Sequence, residues 1–159
     1  MANGKELRAV DRSLRYDLTE GSHEAGVVAR CRDLTQRALR SWFGPAGSPE
    51  LPAPSDALLL VSEVVTNART HGGDVSELRL AGTDRALWVQ VTDTCPDRPR
   101  PHGPHRADRS SGHGLYLLER LATRWGCVPR GRAGKTVWFE VEMLPAPTGA
   151  PEAPGPTRS

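Results

Sequence analysis

The chain has 159 residues, and its 21 Lys and Arg against 19 Asp and Glu give a formal net charge of +2. So small a charge disfavours a dedicated nucleic-acid-binding protein, which is usually strongly basic. The longest apolar run covers residues 57–61, far short of the ~20 residues that span a bilayer, and the N-terminal residues offer no apolar stretch for a signal peptide. We therefore expect a cytoplasmic protein with neither a membrane span nor a nucleic-acid partner.

Composition divides the chain into one domain and two ends. The hydrophobic share of 37%, together with 16 Gly and 14 Pro residues, indicates a compact core with unstructured segments around it. Residues 1–13 have no clear period and are predicted to be a flexible N-terminus. Residues 144–159 are rich in Pro, Ala and Gly and are predicted to be a disordered tail. The folded domain is therefore expected at residues 14–143.

Strand and helix periods alternate through this domain. Helices are expected from an N-cap at Ser22 to near Trp42, from 55 to 70, and from 112 or 113 to about 123. Strands are expected at 14–18, 76–80, 86–93, 125–128 and 136–143. This order predicts an α+β fold, a two-layer sandwich with three helices on one face of a mixed, mostly antiparallel sheet. Residues 94–111, with four prolines and four arginines, are typical of a functional lid or a disordered loop.

The second predicted helix carries the most informative pattern, Ser-Glu-Val-Val-Thr-Asn-Ala, at residues 62–68. At ~100° per residue the apolar positions share one side, and Glu63 and Asn67 lie together away from it. Such a pair is either a solvated polar face or part of a site. The sequence alone leaves both interpretations open.

The third predicted strand ends in an acid. Leu87, Val89, Val91 and Asp93 point to one face by the period of two. Asp93 is therefore a carboxylate at the end of an apolar row, where an acid needs a partner. It is either a turn residue or the acceptor for a buried ligand donor such as an exocyclic amine.

The third predicted helix opens with Gly112-His113-Gly114. Glycines at a helix start let the backbone approach an anion, and the free N–H groups favour phosphate. Glycines before helices are also common without any ligand. The motif is neither a Walker A loop, since no GK[ST] follows, nor a full Rossmann fingerprint.

The order of these features, followed by Gly134-Lys135-Thr136 at the last strand, resembles that of the GHKL nucleotide-binding family (gyrase B, chaperone, histidine kinase, MutL), which has the Bergerat fold. The chain is most similar to the small stand-alone anti-sigma-factor serine/threonine kinases of bacteria, including actinobacterial ATP-binding regulators of that type. The resemblance covers residues 14–143, and residues 60–68 are its most specific part.

The resemblance implies a role for each motif, with ATP and Mg²⁺ as cofactors. Asn67 would be the magnesium ligand and Glu63 the general base. Asp93 would accept a hydrogen bond from the adenine amino group, and Thr136 would help to bind adenine through water. The phosphates would be held at the start of the third helix, under a lid of residues 94–111, by Gly112, His113, Gly114 and Leu115.

One position departs from the family pattern. The family usually has a glycine two residues after the adenine-binding aspartate, where this chain has Cys95, followed by Pro96. The side chain adds bulk where backbone and base lie close, and the proline removes a donor. The departure bears on how tightly ATP binds.

By resemblance, the chain would phosphorylate a serine or threonine of an anti-anti-sigma antagonist and would also bind a sigma factor. The alternatives are a catalytically silent ATP-dependent partner-binding switch and a detached histidine-kinase ATPase module, although no dimerisation helix precedes residue 14. A homodimer is an open alternative to a monomer. A zinc set is disfavoured by its spacing; it would consist of Cys95, His102, His105 and His113.

Overall fold

The structure is a computed structural model that describes residues 12–20, 26–44, 54–70, 73–95 and 113–143. The predicted disordered tail and nearly all of the predicted lid and flexible N-terminus lie outside the described residues. Those expectations therefore stay predictions. Within the described ranges, no helix has the length and apolar character needed to cross a membrane.

Five strands form a single sheet in the order β1-β2-β3-β5-β4. Their bounds are β1 Arg12–Asp17, β2 Val75–Gly82, β3 Ala86–Asp93, β4 Arg124–Pro129 and β5 Lys135–Glu142. Every neighbouring pair of these strands runs antiparallel. The predicted mostly antiparallel sheet is therefore confirmed, and none of the described strand pairs is parallel. The hairpin of β2 and β3 is confirmed, and the Thr83 hydroxyl closes its turn by accepting a hydrogen bond from the Ala86 N–H (3.0 Å).

The helices are α1 Val27–Phe43, α2 Pro54–Thr70 and α3 His113–Leu121, and α2 packs against both of the others. Helix α1 begins later than the predicted N-cap at Ser22, which lies outside the described residues. Its first turn forms after Gly26, whose carbonyl accepts from the Arg30 N–H at 2.9 Å. The predicted α+β architecture, with helices layered on a sheet, is confirmed.

From Leu87 to Asp93 on β3 and from Val137 to Glu142 on β5, buried residues alternate with more exposed ones. The row of β3 that begins with Leu87, Val89 and Val91 is fully buried against the helices. It pairs with Val137, Phe139 and Val141 of β5, which belong to the same core. The period of two therefore predicted the buried face of β3 correctly.

The other sheet face carries an aromatic and charged surface. Trp88 and Trp138 stack with ring centroids 4.9 Å apart and planes 11° from parallel. The Arg124 guanidinium lies 5.6 Å from the Trp88 ring and pairs with Glu140. The opposite face, where the helices pack, carries the core side chains of the central strands, Leu87, Val89, Val91, Val137, Phe139 and Val141.

The C-terminal end of α2 is tied to the end of β3. The Gly73 N–H donates to the carbonyl of Ala68 at 3.2 Å, which turns the chain at the end of the helix. Asp74 and Thr94 then exchange two hydrogen bonds, from the Asp74 N–H to the Thr94 hydroxyl (2.9 Å) and from the Thr94 N–H to the Asp74 carbonyl (3.0 Å). These contacts bring the last turns of α2 and the last residue of β3 to one end of the domain.

Candidate functional site

Glu63 and Asn67 lie one turn apart on α2, and both side chains are half-buried. The side of the helix predicted to be apolar is buried at Ala57, Val61, Val65 and Ala68. By helical geometry, Glu63 and Asn67 therefore occupy the flank between the core and the exposed side. Within the part of the chain that the structure describes, neither side chain has a hydrogen-bond or ion-pair partner. Both polar groups are thus available to a ligand at the edge of the helix layer.

Asp93 ends the buried row of β3 and is only 2% exposed. Its Oδ1 accepts a hydrogen bond from the Cys95 N–H at 2.8 Å and a second from the Lys135 Nζ at 3.1 Å. Asp93 therefore shapes the turn after β3, as one interpretation of the sequence predicted, and it is a buried carboxylate facing the helix layer. Its role as the acceptor for a ligand donor stays a prediction.

Lys135 is the partner that the sequence analysis did not identify. It lies directly opposite Asp93 in the β3–β5 ladder, and it is 5% exposed. Its Nζ also donates to the carbonyl oxygen of Cys95 at 3.2 Å. A signal was present in the sequence, since this is one of only two lysines among the 21 basic residues and it follows a glycine at the start of a core strand.

Gly134 allows β5 to come this close to the end of β3. Its φ is +123°, and a Cβ placed on it would lie 1.8 Å from the Asp93 carbonyl oxygen. Any side chain at this position would therefore push the start of β5 away from Asp93. The Asp93–Lys135 pair depends on a glycine here.

Thr136, which the resemblance places beside adenine, lies on the sheet face opposite Asp93, and its role toward adenine stays a prediction. Thr136 pairs with Thr92 in the ladder, and their hydroxyl oxygens lie 2.9 Å apart. Because side chains alternate along a strand, Thr136 and Asp93 point to opposite faces of the sheet. The Thr136 hydroxyl also accepts from the Arg130 Nε at 2.8 Å. The position that faces Asp93 is held by Lys135.

Thr92 lines a polar hollow of about 430 Å³ on the open face of the sheet, together with residues of β1 and β2. Its wall includes Arg15, which pairs with Glu77 at 2.6 Å. Hydrogen bonds from the Thr19 hydroxyl and N–H hold the pKa of Asp17 below its ordinary value. This hollow is separated from Asp93 by the thickness of the sheet.

The predicted phosphate-binding residues fall at the start of α3. His113, Gly114 and Leu115 form the first turn of this helix, while Gly112 lies outside the described residues. The remainder of α3 packs on the core through Leu118, which is 3% exposed. The phosphate role of this segment stays a prediction.

The family of the chain follows from a comparison of its sequence with protein-family models. The model of the histidine kinase-like ATPase domain matches residues 18–141, well over half of the chain. The chain belongs to the histidine kinase-like ATPase family. A search of curated proteins found no match. The predicted GHKL-type ATPase domain is confirmed, and the narrower anti-sigma-factor kinase type stays a prediction.

A histidine kinase-like ATPase domain binds ATP, usually with Mg²⁺, and the described residues suit both. The Asn67 amide offers the hard oxygen that Mg²⁺ prefers, with phosphate and water as the other ligands. An ionised Asp93 can only accept hydrogen bonds, which suits the amino group of adenine. The available Asn67 side chain and the buried Asp93 lie at the same end of the domain because the α2–β3 junction ties them there.

Cys95, which stands where the resemblance implies a glycine, makes two backbone hydrogen bonds at the turn after β3. Its N–H donates to Asp93, and its carbonyl accepts from Lys135. Room for its side chain comes from Gly73, where a Cβ would lie 2.8 Å from the Cys95 Cβ. A second glycine, on the other side of the junction, therefore accommodates the extra bulk.

Proposed function

We propose that this histidine kinase-like ATPase domain is a serine/threonine protein kinase of the anti-sigma-factor type. It would bind ATP with Mg²⁺ and phosphorylate a serine or threonine of a small anti-anti-sigma protein. A sigma factor would be the partner that it holds in the alternative complex. The observation that carries the proposal is the pair of half-buried side chains Glu63 and Asn67, one turn apart on α2, neither of which has a polar partner among the described residues.

The two side chains suit different tasks in phosphoryl transfer. Asn67 would hold Mg²⁺, which neutralises the negative charge of the phosphates when bound. Glu63 is an acceptor one turn away, and it would take the proton from the attacking hydroxyl. The hydroxyl oxygen then bonds to the γ-phosphorus as the bond to the ADP oxygen breaks. A domain that only bound ATP would need Asn67 but would have no use for a carboxylate beside it.

Asp93 would supply the recognition of the base. Its carboxylate accepts from the adenine amino group, and it is buried enough for that hydrogen bond to be shielded from water. The start of α3 would bind the phosphates through backbone N–H groups, by the resemblance stated for Gly112 and Gly114. Charge neutralisation and positioning then provide most of the catalysis, as in other phosphoryl transfers.

Separate substitutions at Glu63 and Asn67 distinguish binding from transfer. Asn67→Ala should weaken the binding of ATP with Mg²⁺ and abolish transfer, because a metal ligand is lost. Glu63→Gln keeps the size of the side chain but removes the base, so ATP binding should be unchanged while transfer falls by about 10²–10⁴-fold. Calorimetry measures binding, and radiolabel transfer from γ-labelled ATP to candidate antagonist proteins measures the reaction.

Thr66→Ala is the matched control, because Thr66 is an exposed neighbour on the same helix and should leave both measurements unchanged. Unchanged transfer in Glu63→Gln would refute the role of Glu63 as base. If the wild type binds ATP but phosphorylates no antagonist, the kinase proposal fails, and a silent ATP-dependent switch takes its place. Autophosphorylation or transfer to a histidine would instead favour the histidine-kinase alternative.

A further inference from the structure

Lys135 is a buried cation to which the proposed phosphoryl transfer assigns no role. Its ammonium group has three N–H donors. Among the described residues two acceptors take them, Asp93 Oδ1 at 3.1 Å and the Cys95 carbonyl at 3.2 Å. The third donor has no acceptor within the described ranges and lies beside Asp93, where a ligand could accept from it. Burial of a lysine ammonium group costs free energy of desolvation unless the charge is paired and hydrogen-bonded. The burial of Lys135 therefore calls for an explanation.

The pair presents an acceptor next to a donor on the side of the sheet that faces the helices. Asp93 and Lys135 are directly opposed residues of β3 and β5, and the 3.1 Å hydrogen bond from Lys135 Nζ to Asp93 Oδ1 holds the two groups side by side. Adenine presents the complementary order, with its 6-amino donor next to the ring acceptor N1. Guanine presents the reverse order on the same edge, with the O6 acceptor next to the N1–H donor.

We propose that Lys135 is a second base-reading residue, donating from Nζ to N1 of adenine while Asp93 accepts from the 6-amino group. The inference rests on the proposed function, because it needs ATP to bind beside Asp93. Two parallel hydrogen bonds of opposite polarity then set the preference for adenine. A guanine in the same orientation would place its O6 acceptor against the Asp93 carboxylate and its N1–H donor against the Lys135 ammonium group. Gly134 contributes by letting β5 bring Lys135 against Asp93.

The test compares ATP with 1-deaza-ATP, which keeps the amino group and the phosphates but replaces N1 with a C–H group. Calorimetry on the full chain with Mg²⁺ should show that the wild type binds ATP about tenfold more tightly or better, the usual effect of one hydrogen bond to a charged group. Lys135→Met should weaken ATP binding and leave 1-deaza-ATP binding nearly unchanged, so that the two affinities converge. Lys135→Arg keeps a cationic donor and should preserve part of the preference.

Each other outcome is decisive. Equal binding of the two nucleotides by the wild type overturns the inference, and that measurement holds even if Lys135→Met does not fold. Equal loss of both affinities in a folded Lys135→Met overturns it as well, since Lys135 would then act only through Asp93. Arg132→Met removes an exposed cation three residues before Lys135. If it changed nucleotide binding as Lys135→Met does, the effect would come from the change in net charge, and the inference would be overturned. A wild type that binds neither nucleotide refutes the proposed function itself.

Discussion

Gly134 sets the separation between the two residues that would read the base. A methyl group in its place would collide with the Asp93 carbonyl oxygen, 1.8 Å from the ideal Cβ, and with the Thr94 Cα at 2.9 Å. Since both atoms belong to the backbone, no side-chain rotation can relieve the collision, and the start of β5 must move away from β3. Gly134→Ala should therefore lower the free energy of unfolding by about 2 kcal/mol or more and should sharply reduce ATP affinity. Chemical denaturation and calorimetry measure the two effects.

Gly131 provides the control for this substitution. It also has a positive φ, +61°, but a Cβ there would meet no atom within 4 Å. Gly131→Ala should thus cost only the backbone strain of about 1 kcal/mol and leave ATP affinity unchanged. Equal effects of the two alanine variants on ATP binding would show that positive φ, and not the approach to Asp93, is what matters at Gly134.

The adjacent residues Lys135 and Thr136 show where prediction from sequence ends at this scale. The resemblance matches Thr136 to a family threonine that helps to bind adenine, and it assigns the adenine amino group to Asp93. Because a strand alternates its faces, a shift of one residue moves a side chain to the opposite side of the sheet. Only the pairing of Asp93 with Lys135 decides which of the two residues faces the pocket, and that register depends on the whole ladder.

At the scale of elements, the hydrophobic period predicted which faces of the helices and strands are buried, but local patterns did not predict where the elements end. The buried face of β3 and the buried side of α2 follow from the spacing of apolar residues alone. The β2 strand extends to Gly82, beyond the predicted end at residue 80, because Ala81 and Gly82 pair with both β1 and β3. Such extensions depend on partners that are distant in sequence, so local patterns do not contain them.

The junction of α2 with β3 rests on a contact between Gly73 and Cys95. A Cβ on Gly73 would lie 2.8 Å from the Cys95 Cβ and 3.0 Å from the Cys95 nitrogen. Gly73→Ala should therefore destabilise the domain and weaken ATP binding, because it displaces the N–H that Asp93 accepts from. In the double variant with Cys95→Gly, part of the collision is removed. We expect a favourable coupling energy of at least about 0.5 kcal/mol in the double-mutant cycle.

Cys95→Gly alone tests the departure from the family pattern at the same junction. If the side chain restricts the base, the single variant gains ATP affinity; if Gly73 fully accommodates it, affinity stays the same and stability falls slightly. Strict additivity of the Gly73 and Cys95 substitutions in denaturation experiments would show that the two residues do not share the space that the structure assigns to them.

For the molecule as a whole, the Asp93–Lys135 pair connects global stability with the candidate site. Both members of the ion pair are buried, with the Lys135 side chain 7% and the Asp93 side chain 2% exposed. Removing one member of such a pair leaves an uncompensated buried charge and typically costs about 3–5 kcal/mol. That is a large part of the about 5–15 kcal/mol by which domains are usually stable. Removing both charges separates the two roles of the pair, because its effect on the free energy of unfolding can be compared with its effect on ATP affinity.

The last prediction follows from that difference. Asp93→Asn and Lys135→Met should each lower the free energy of unfolding by about 3–5 kcal/mol, whereas the double variant should recover to within about 1 kcal/mol of the wild type. Asparagine still offers an oxygen to the Cys95 N–H, so the turn after β3 survives in the double variant. Its ATP affinity should nevertheless be at least about tenfold below that of the wild type, because the charged acceptor is gone. Urea denaturation and calorimetry on the same four proteins measure both quantities.

Glu77→Gln, which breaks the exposed pair with Arg15 at 2.6 Å, is the control and should cost under about 1 kcal/mol. A double variant as unstable as the sum of its single changes would mean that the two charges do not compensate each other. A double variant that is stable and still binds ATP tightly would remove the Asp93–Lys135 pair from the site.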